Sequence, residues 1–484
     1  MRPDGRSTIE ERWPSAVRRA LRKIWNWGEG AFNRVGSQGL RPELPDEDLE
    51  KVRVLMVACT EERGGATSAR TRAAELGYAY LRLDRRGRGR FLKLLTESFD
   101  LDGTSLDEAL DTYLASPDGA SYAALREAGQ PPRLQILRML NSLPDGFRFL
   151  VDLRADLLAL LDEEPSLAVL DYDLQELFDA WFDVGLLTLD RISWDSPASL
   201  LEKLVAYEAV HEIRSWSDLK NRLEADRRCY AFFHPKIPGE PLIFVEVALT
   251  EGIPGSVQDL LDESAPVLDP DSADTAVFYS ISNTQKGLRG VSFGSFLLKE
   301  VMADLSTRFP RLRTYVTLSP IPGFRKWLTE KVVEHEDVLF GSDERRELLS
   351  LAAEHGLDDG VSGLLALPGW HQDDRIRAAL ERPLIRLGSF YLTRTRNRRG
   401  LPLDPVGRFH LVNGARVERL AFLGDTSKQG LEQSFGMMVN YRYVPERIEE
   451  NHERLLGEDQ VASSAAVERL AEEAEKNLTR QLAR

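Results

Sequence analysis

Apolar positions in the first part of the chain recur every three to four residues. Leu106, Leu110, Tyr113 and Leu114 fall on one face of a helix. Ahead of them, Ser105-Leu106-Asp107-Glu108 reads as a capping box, in which the serine takes an orphan amide and the glutamate reaches back. Ser116-Pro117-Asp118-Gly119 supplies the turn residues that stop this helix. Further amphipathic stretches lie at residues 134–140, 151–161 and 174–187. The pattern predicts an all-helical domain over residues 1–190, suited to packing or oligomerisation.

After Asp190 the period shortens. Ser196-Pro197 predicts a helix start, with serine as the cap and proline in the first turn, where its missing amide costs nothing. Two β-rich runs, residues 229–233 and 242–247, flank Pro235-Lys236-Ile237-Pro238-Gly239-Glu240-Pro241 and predict an antiparallel pair. Residues 276–281, 313–318, 417–423 and 435–443 predict further strands, and the charged tail from Glu446 predicts a solvated surface helix. The second domain, residues 191–484, is therefore expected to be α+β or mixed α/β.

Composition narrows the possibilities. A chain of 484 residues exceeds one ordinary core and calls for two domains. A formal charge of −15 argues against non-specific nucleic-acid binding through the whole surface. The two cysteines, Cys59 and Cys229, exclude a disulfide scaffold or a four-cysteine zinc site and suit a reducing compartment. No run approaches the ~20 apolar residues of a membrane helix. The N-terminus is rich in arginine, but Asp4, Glu10 and Glu11 are foreign to an organelle presequence, so a cytoplasmic protein is expected.

Three segments carry candidate chemistry. Residues 282–291 contain Gln285, Gly287, Arg289, Gly290 and Val291, between a strand and a helix. A glycine-bearing loop there lets backbone N–H groups approach a phosphate, and the helix start adds positive charge. It is neither a Rossmann fingerprint nor a P-loop. A glutamine followed by spaced glycines is similar to the pyrophosphate loop of acetyltransferases of the GCN5-related type, although an ordinary tight turn gives the same spacing. Next, Thr317-Leu318-Ser319-Pro320-Ile321-Pro322-Gly323-Phe324 is either a rigid turn capped by a hydroxyl or a serine presented at the carboxyl end of a strand, where open sheets place ligands. Finally, His410, one of seven histidines, is either a hydrogen-bonded core residue or a catalyst. Spacing alone does not pair Ser319 with His410.

Several ordered words together are more specific. Gln285-Lys286-Gly287-Leu288-Arg289-Gly290-Val291, Leu318-Ser319-Pro320-Ile321-Pro322-Gly323-Phe324, His410-Leu411-Val412-Asn413-Gly414-Ala415 and Asn440-Tyr441-Arg442-Tyr443 resemble the malonyl-CoA decarboxylase family. So do Pro238-Gly239-Glu240-Pro241-Leu242, Val247-Ala248-Leu249-Thr250 and Glu208-Ala209-Val210-His211. The resemblance covers most of residues 170–445 and continues more weakly through the helical half. It implies a helical domain that helps build a tetramer, followed by a CoA-binding catalytic domain with an acetyltransferase-like mixed α/β fold. It also implies decarboxylation of malonyl-CoA to acetyl-CoA without a cofactor or metal. Carried across, the catalytic serine falls on Ser319, the catalytic histidine on His410 and a supporting tyrosine on Tyr443. The substrate-binding segment falls on Arg289, Gly290, Val291, Ser292, Phe293, Gly294 and Ser295. Family members often carry glutamate where this chain has Ser292, so no carboxylate contribution is expected there.

This chemistry suits these residue types. Loss of carbon dioxide leaves an enolate, which donors aimed at the thioester oxygen stabilise, each worth roughly 100- to 1000-fold. The new carbanion then needs a proton, and histidine donates near neutrality. His410 is expected to be that donor, with Ser319 hydrogen-bonding the carboxylate or the thioester oxygen. The resemblance instead gives serine the proton-acceptor role. Three rivals are an acyl-CoA thioesterase, an acetyl-CoA-dependent N-acyltransferase and a CoA-sensing or scaffold protein without turnover. Against the first, Pro320 has no amide to serve as oxyanion donor after a serine nucleophile, and no G-x-S-x-G elbow is present. Of the basic clusters, Arg85-Arg86-Gly87-Arg88-Gly89-Arg90 is expected to solvate a helix start. Arg394, Arg396, Arg398 and Arg399 read as a solvated loop, with pairing to a CoA phosphate as the alternative.

Overall fold

The computed structural model describes residues 39–60, 66–181, 184–291 and 296–482. The arginine-rich N-terminus, including Asp4, Glu10 and Glu11, lies outside the described residues. The chain divides into two compact units. The first comprises Met1–Leu187, Phe233–Leu242 and Gln285–Ser292; the second comprises Thr188–Phe232, Ile243–Thr284 and Phe293–Arg484. The expected boundary near residue 190 ignores the two short stretches that fall in the first unit.

Eight helices make up the main segment of the first unit among the described residues: α1 (Asp46–Thr60), α2 (Ala66–Leu81), α3 (Arg85–Ser98), α4 (Gly103–Ala115), α5 (Gly119–Ala128), α6 (Pro132–Asn141), α7 (Gly146–Leu158) and α8 (Ala168–Trp181). Their inner faces bury Leu76, Phe91, Leu95, Leu137, Leu153 and Phe178. The Arg-Gly cluster does open a helix: Asp84 caps α3 through Gly87 N–H. Arg85 and Arg88 pair with Glu163 and Asp156, so the cluster is spent on acids of its own unit. One expectation fails at α4. Its cap is Asp102, which accepts from Thr104 N–H, and Ser105 sits inside the helix with its hydroxyl on Asp102. Asp102 directly precedes the first helical residue, and its carboxylate serves as a cap as well as a serine would, so the helix starts ahead of Ser105.

The second unit is built on an eight-stranded sheet among the described residues. Its strands are β1 (Thr188–Ile192), β2 (Arg227–Phe233), β3 (Pro241–Thr250), β4 (Thr275–Asn283), β5 (Thr314–Thr317), β6 (Ser319–Pro320), β7 (Arg416–Ala421) and β8 (Met438–Tyr443). The order is β1-β2-β3-β4-β5-β8-β6, with β7 on β8. β3 and β4 run antiparallel, with a bulge between Glu246 and Val247. β4 and β5 run parallel over only four pairs, from Thr275↔Thr314 to Phe278↔Thr317, and β4 continues beyond them to Asn283. Side chains alternate between the two faces. On one face Val277, Tyr279, Val316, Leu318, Ala421 and Met438 form an apolar core. The residues between them, Ser280, Ser282, Thr317 and Ser319, belong to the other face.

The helices of this unit include α9 (Phe296–Arg308), α10 (Phe324–Leu339), α11 (Asp374–Arg394) and α12 (Pro405–Val412). Ser196 is not a cap: Pro197 itself occupies that position before Ala198–Tyr207, with no side-chain hydrogen bond. The tail is not simply solvated either. Helix α13 (Ala465–Leu482) buries Val467, Ala471 and Ala474, while Glu468, Glu473 and Glu475 pair with Arg394 and Arg382. Arg394 therefore ends a helix rather than lying in a loop, and Arg396 pairs with Asp459. No helix among the described residues is long and apolar enough to cross a membrane.

Candidate active site

Strand β5 ends at Thr317, and Ser319 begins the next short strand on the same face of the sheet. Two prolines and Gly323 then turn the chain into α10. The Ser319 hydroxyl donates to Thr317 Oγ1 at 2.8 Å, and that oxygen also accepts the Tyr441 N–H at 3.1 Å. Opposite it, α12 carries His410, whose Nε2 lies 3.2 Å from Ser319 Oγ. Because the serine proton is committed to Thr317, this contact is carried by Nε2–H. The other ring nitrogen, Nδ1, then accepts from the Tyr443 hydroxyl at 2.8 Å.

The imidazole is fixed in place. Its ring stacks on Tyr441 at 4.8 Å with an interplanar angle of 26°, and Phe409 meets it edge-on at 5.0 Å. Only 6% of Ser319, 4% of His410 and 2% of Tyr443 is exposed, so the trio sits in a dry environment. Burial pushes the His410 imidazole down to about 3 and the Tyr443 phenol well up. The ring is thus neutral, and its partner is a phenol rather than a carboxylate.

One buried acid ties the two halves of this arrangement together. Asp404 caps α12 by accepting Gly407 N–H at 2.8 Å. Its other oxygen accepts Gly323 N–H, at 3.3 Å, from the turn that follows Ser319. Burial raises its carboxyl to about 6. Gly323 and Gly407 have little room for a side chain: a Cβ would stand 2.2 Å from the Tyr391 hydroxyl and 2.9 Å from the Tyr441 hydroxyl, respectively. The separation between Ser319 and His410 is therefore set by backbone held on one carboxylate.

The glycine loop is described with the first unit. Gln285 precedes a turn of 3-10 helix, Lys286–Leu288, and its buried side chain donates to the Pro241 carbonyl at 3.3 Å. Gly287 and Leu288 are buried, whereas Lys286, Arg289 and Gly290 are exposed. Gly290 adopts φ +84°, a conformation in which glycine pays no steric cost. Val291 is buried at the end of the turn. Ser292, Phe293, Gly294 and Ser295 lie outside the described residues. The structure thus joins Ser319, His410 and Tyr443 by direct hydrogen bonds, while the loop residues form a separate element with one buried and one exposed side.

Models of the malonyl-CoA decarboxylase C-terminal and N-terminal domains match residues 185–481 and 99–182. The chain belongs to the malonyl-CoA decarboxylase family. A solved malonyl-CoA decarboxylase from Rhodopseudomonas palustris is 40% identical with a TM-score of 0.79, and the match covers 87% of this chain and 98% of that one. A second, from Agrobacterium vitis, is 43% identical with a TM-score of 0.78, covering 87% and 99%. The protein of Anser anser anser named mitochondrial malonyl-CoA decarboxylase is 35% identical over 477 residues, or 94% of each chain. Within this member of the malonyl-CoA decarboxylase family, sequence reasoning left Thr317, Tyr441 and Asp404 without a role. Thr317 and Tyr441 carried a usable signal, since each is two positions from an assigned residue on a strand and so shares its face. Asp404 carried only the Asp-Pro signature of a helix start.

Proposed function

We propose that this chain is a carboxy-lyase that converts malonyl-CoA to acetyl-CoA and carbon dioxide at Ser319, His410 and Tyr443, with CoA present only as part of the substrate. Membership of the family supports the reaction. The single observation that carries the residue roles is the buried imidazole, hydrogen-bonded between a serine oxygen and a phenol.

The substrate's terminal C–C bond breaks, and its electron pair passes into the thioester as an enolate. The dry, oriented polar groups around Ser319 favour charge on oxygen there. The malonyl carboxylate brings a negative charge to His410 and raises the ring's affinity for a proton once substrate is bound. The ring takes up that proton as the imidazolium, gives the Nε2 proton to the methylene carbon and returns to neutral; a solvent proton recharges it, so each turnover consumes one proton. Tyr443 orients the ring through Nδ1, and Ser319 hydrogen-bonds the carboxylate or the thioester oxygen.

The thioesterase alternative has less support. A serine nucleophile needs a neutral imidazole base, and a carboxylate to stabilise the imidazolium that forms on attack. Here the ring's partner is Tyr443 rather than a carboxylate, and Pro320 offers no amide. For the CoA moiety we assign the loop from Gln285 to Ser295, with the exposed Lys286, Arg289 and Gly290 facing a pyrophosphate. An acetyltransferase-like reading of the sheet is supported by the parallel pair β4–β5, in register over four positions only. A homotetramer built through the helical domain is supported by Leu101, Leu110, Leu114 and Tyr122, apolar side chains left exposed on or beside α4 and α5. A cytoplasmic, reducing location is supported by two buried free thiols, both pushed up by burial.

Purified protein given malonyl-CoA without added metal or nucleotide tests the reaction. Acetyl-CoA and carbon dioxide in equal amounts are expected. Free CoA with malonate would mean hydrolysis, and consumption of acetyl-CoA only in the presence of an amine would mean acyl transfer.

A further inference from the structure

The 3-10 turn at Lys286–Leu288 leaves carbonyls at its carboxyl end without partners in the turn, as every short helix does. Two side chains of the first unit take them. Arg154, on α7 and 98% or more buried, donates from one nitrogen to both Gly287 O at 2.9 Å and Arg289 O at 2.8 Å. Its Nε is fixed by Asp171 on α8 at 2.7 Å. One turn further along α8, Gln175 donates to Gly290 O at 2.8 Å. The loop is also seated directly on α7, for a Cβ on Gly287 would lie 1.8 Å from the Val151 carbonyl.

Peptide geometry sets the result. In a trans peptide the N–H points opposite to the C=O. With the Arg289 carbonyl held inward by a buried guanidinium, the Gly290 N–H is turned to the exposed side of the loop. A loop free to rotate this peptide would also present the carbonyl there, and a carbonyl repels an anion. From this we infer that Arg154 and Gln175 are positioning residues for CoA binding: they hold three loop carbonyls so that the loop's exposed face offers an N–H donor to the pyrophosphate. Neither residue touches the substrate. The inference rests on the proposed assignment of this loop to the CoA phosphates.

The test compares wild type, Arg154→Lys and Gln175→Ala on malonyl-CoA and on malonyl-pantetheine, which lacks the phosphorylated adenosine. Lysine keeps a charge opposite Asp171 but has one compact ammonium in place of a planar fork. The KM for malonyl-CoA should rise about tenfold in Arg154→Lys and about threefold in Gln175→Ala, the scale of a charged and a neutral hydrogen bond. Turnover number should stay within about twofold, and constants for malonyl-pantetheine should not move. Gln175 is only half-buried, so its variant keeps the test valid even if Arg154→Lys folds poorly. An unchanged KM for malonyl-CoA in Gln175→Ala and in folded Arg154→Lys would overturn the inference. Equal losses on both substrates would also overturn it, by making the role purely structural. If wild type handled both substrates with the same KM, the phosphate assignment of the loop would itself fall.

Discussion

The glycine loop and the Ser319–His410 pair solve opposite problems. In the proposed reading the loop binds through its backbone, and two of its glycines are fixed by geometry: Gly287 has no room for a Cβ against Val151, and Gly290 needs φ +84°. The proposed catalytic trio would act through side chains, and Asp404 holds the backbone on either side of it. That contrast dictates where substitutions should hurt. Damage to the loop should weaken binding, and damage to the trio should slow chemistry.

The largest effect expected is on the trio. Ser319→Ala and His410→Ala should each lower kcat by at least about 100-fold, the scale of lost general acid–base catalysis, with the fold kept as judged by circular dichroism. Near-normal turnover in either variant would remove that residue from the mechanism. Next comes Gly287→Ala, which forces the loop off Val151. Its KM for malonyl-CoA should rise at least about tenfold with kcat nearly kept, and a fall in kcat alone would blur the distinction between the two regions. Tyr443→Phe removes the donor to Nδ1 and should lower kcat about tenfold without changing KM.

The smallest effect concerns acid. The unfolded chain protonates a histidine below about pH 6.5, whereas folded His410 resists until about 3. In that window the unfolded state binds more protons, so stability falls as pH drops. The difference in urea midpoint between about pH 7 and about pH 4.5 should therefore be smaller in His410→Gln than in wild type. An equal difference in both proteins would mean that the ring is not buried neutral.

The two regions were also unequally legible in the sequence. The words around Ser319 and His410 could be read because chemistry fixes the residue types. The glycines of the loop could be read because backbone conformation does. What holds the loop could not be read: Arg154 and Gln175 lie more than a hundred residues upstream, on helices whose pattern reports only burial. Helix α11 was missed because Pro383 looks like a breaker, yet it sits buried inside the helix. β1 was missed because Thr188-Leu189-Asp190-Arg191-Ile192 is largely exposed and carries no apolar run. Ser105 was read as a cap because Glu108 completes a capping box with it, but Asp102, three residues earlier, takes the cap position.

The most direct test of the central claim is to quench wild-type protein during turnover of malonyl-CoA and weigh the intact chain by mass spectrometry. A His410 ring that only delivers a proton predicts unmodified protein beside accumulating acetyl-CoA. A malonyl or acetyl group on Ser319, released later with free CoA already in solution, would contradict it.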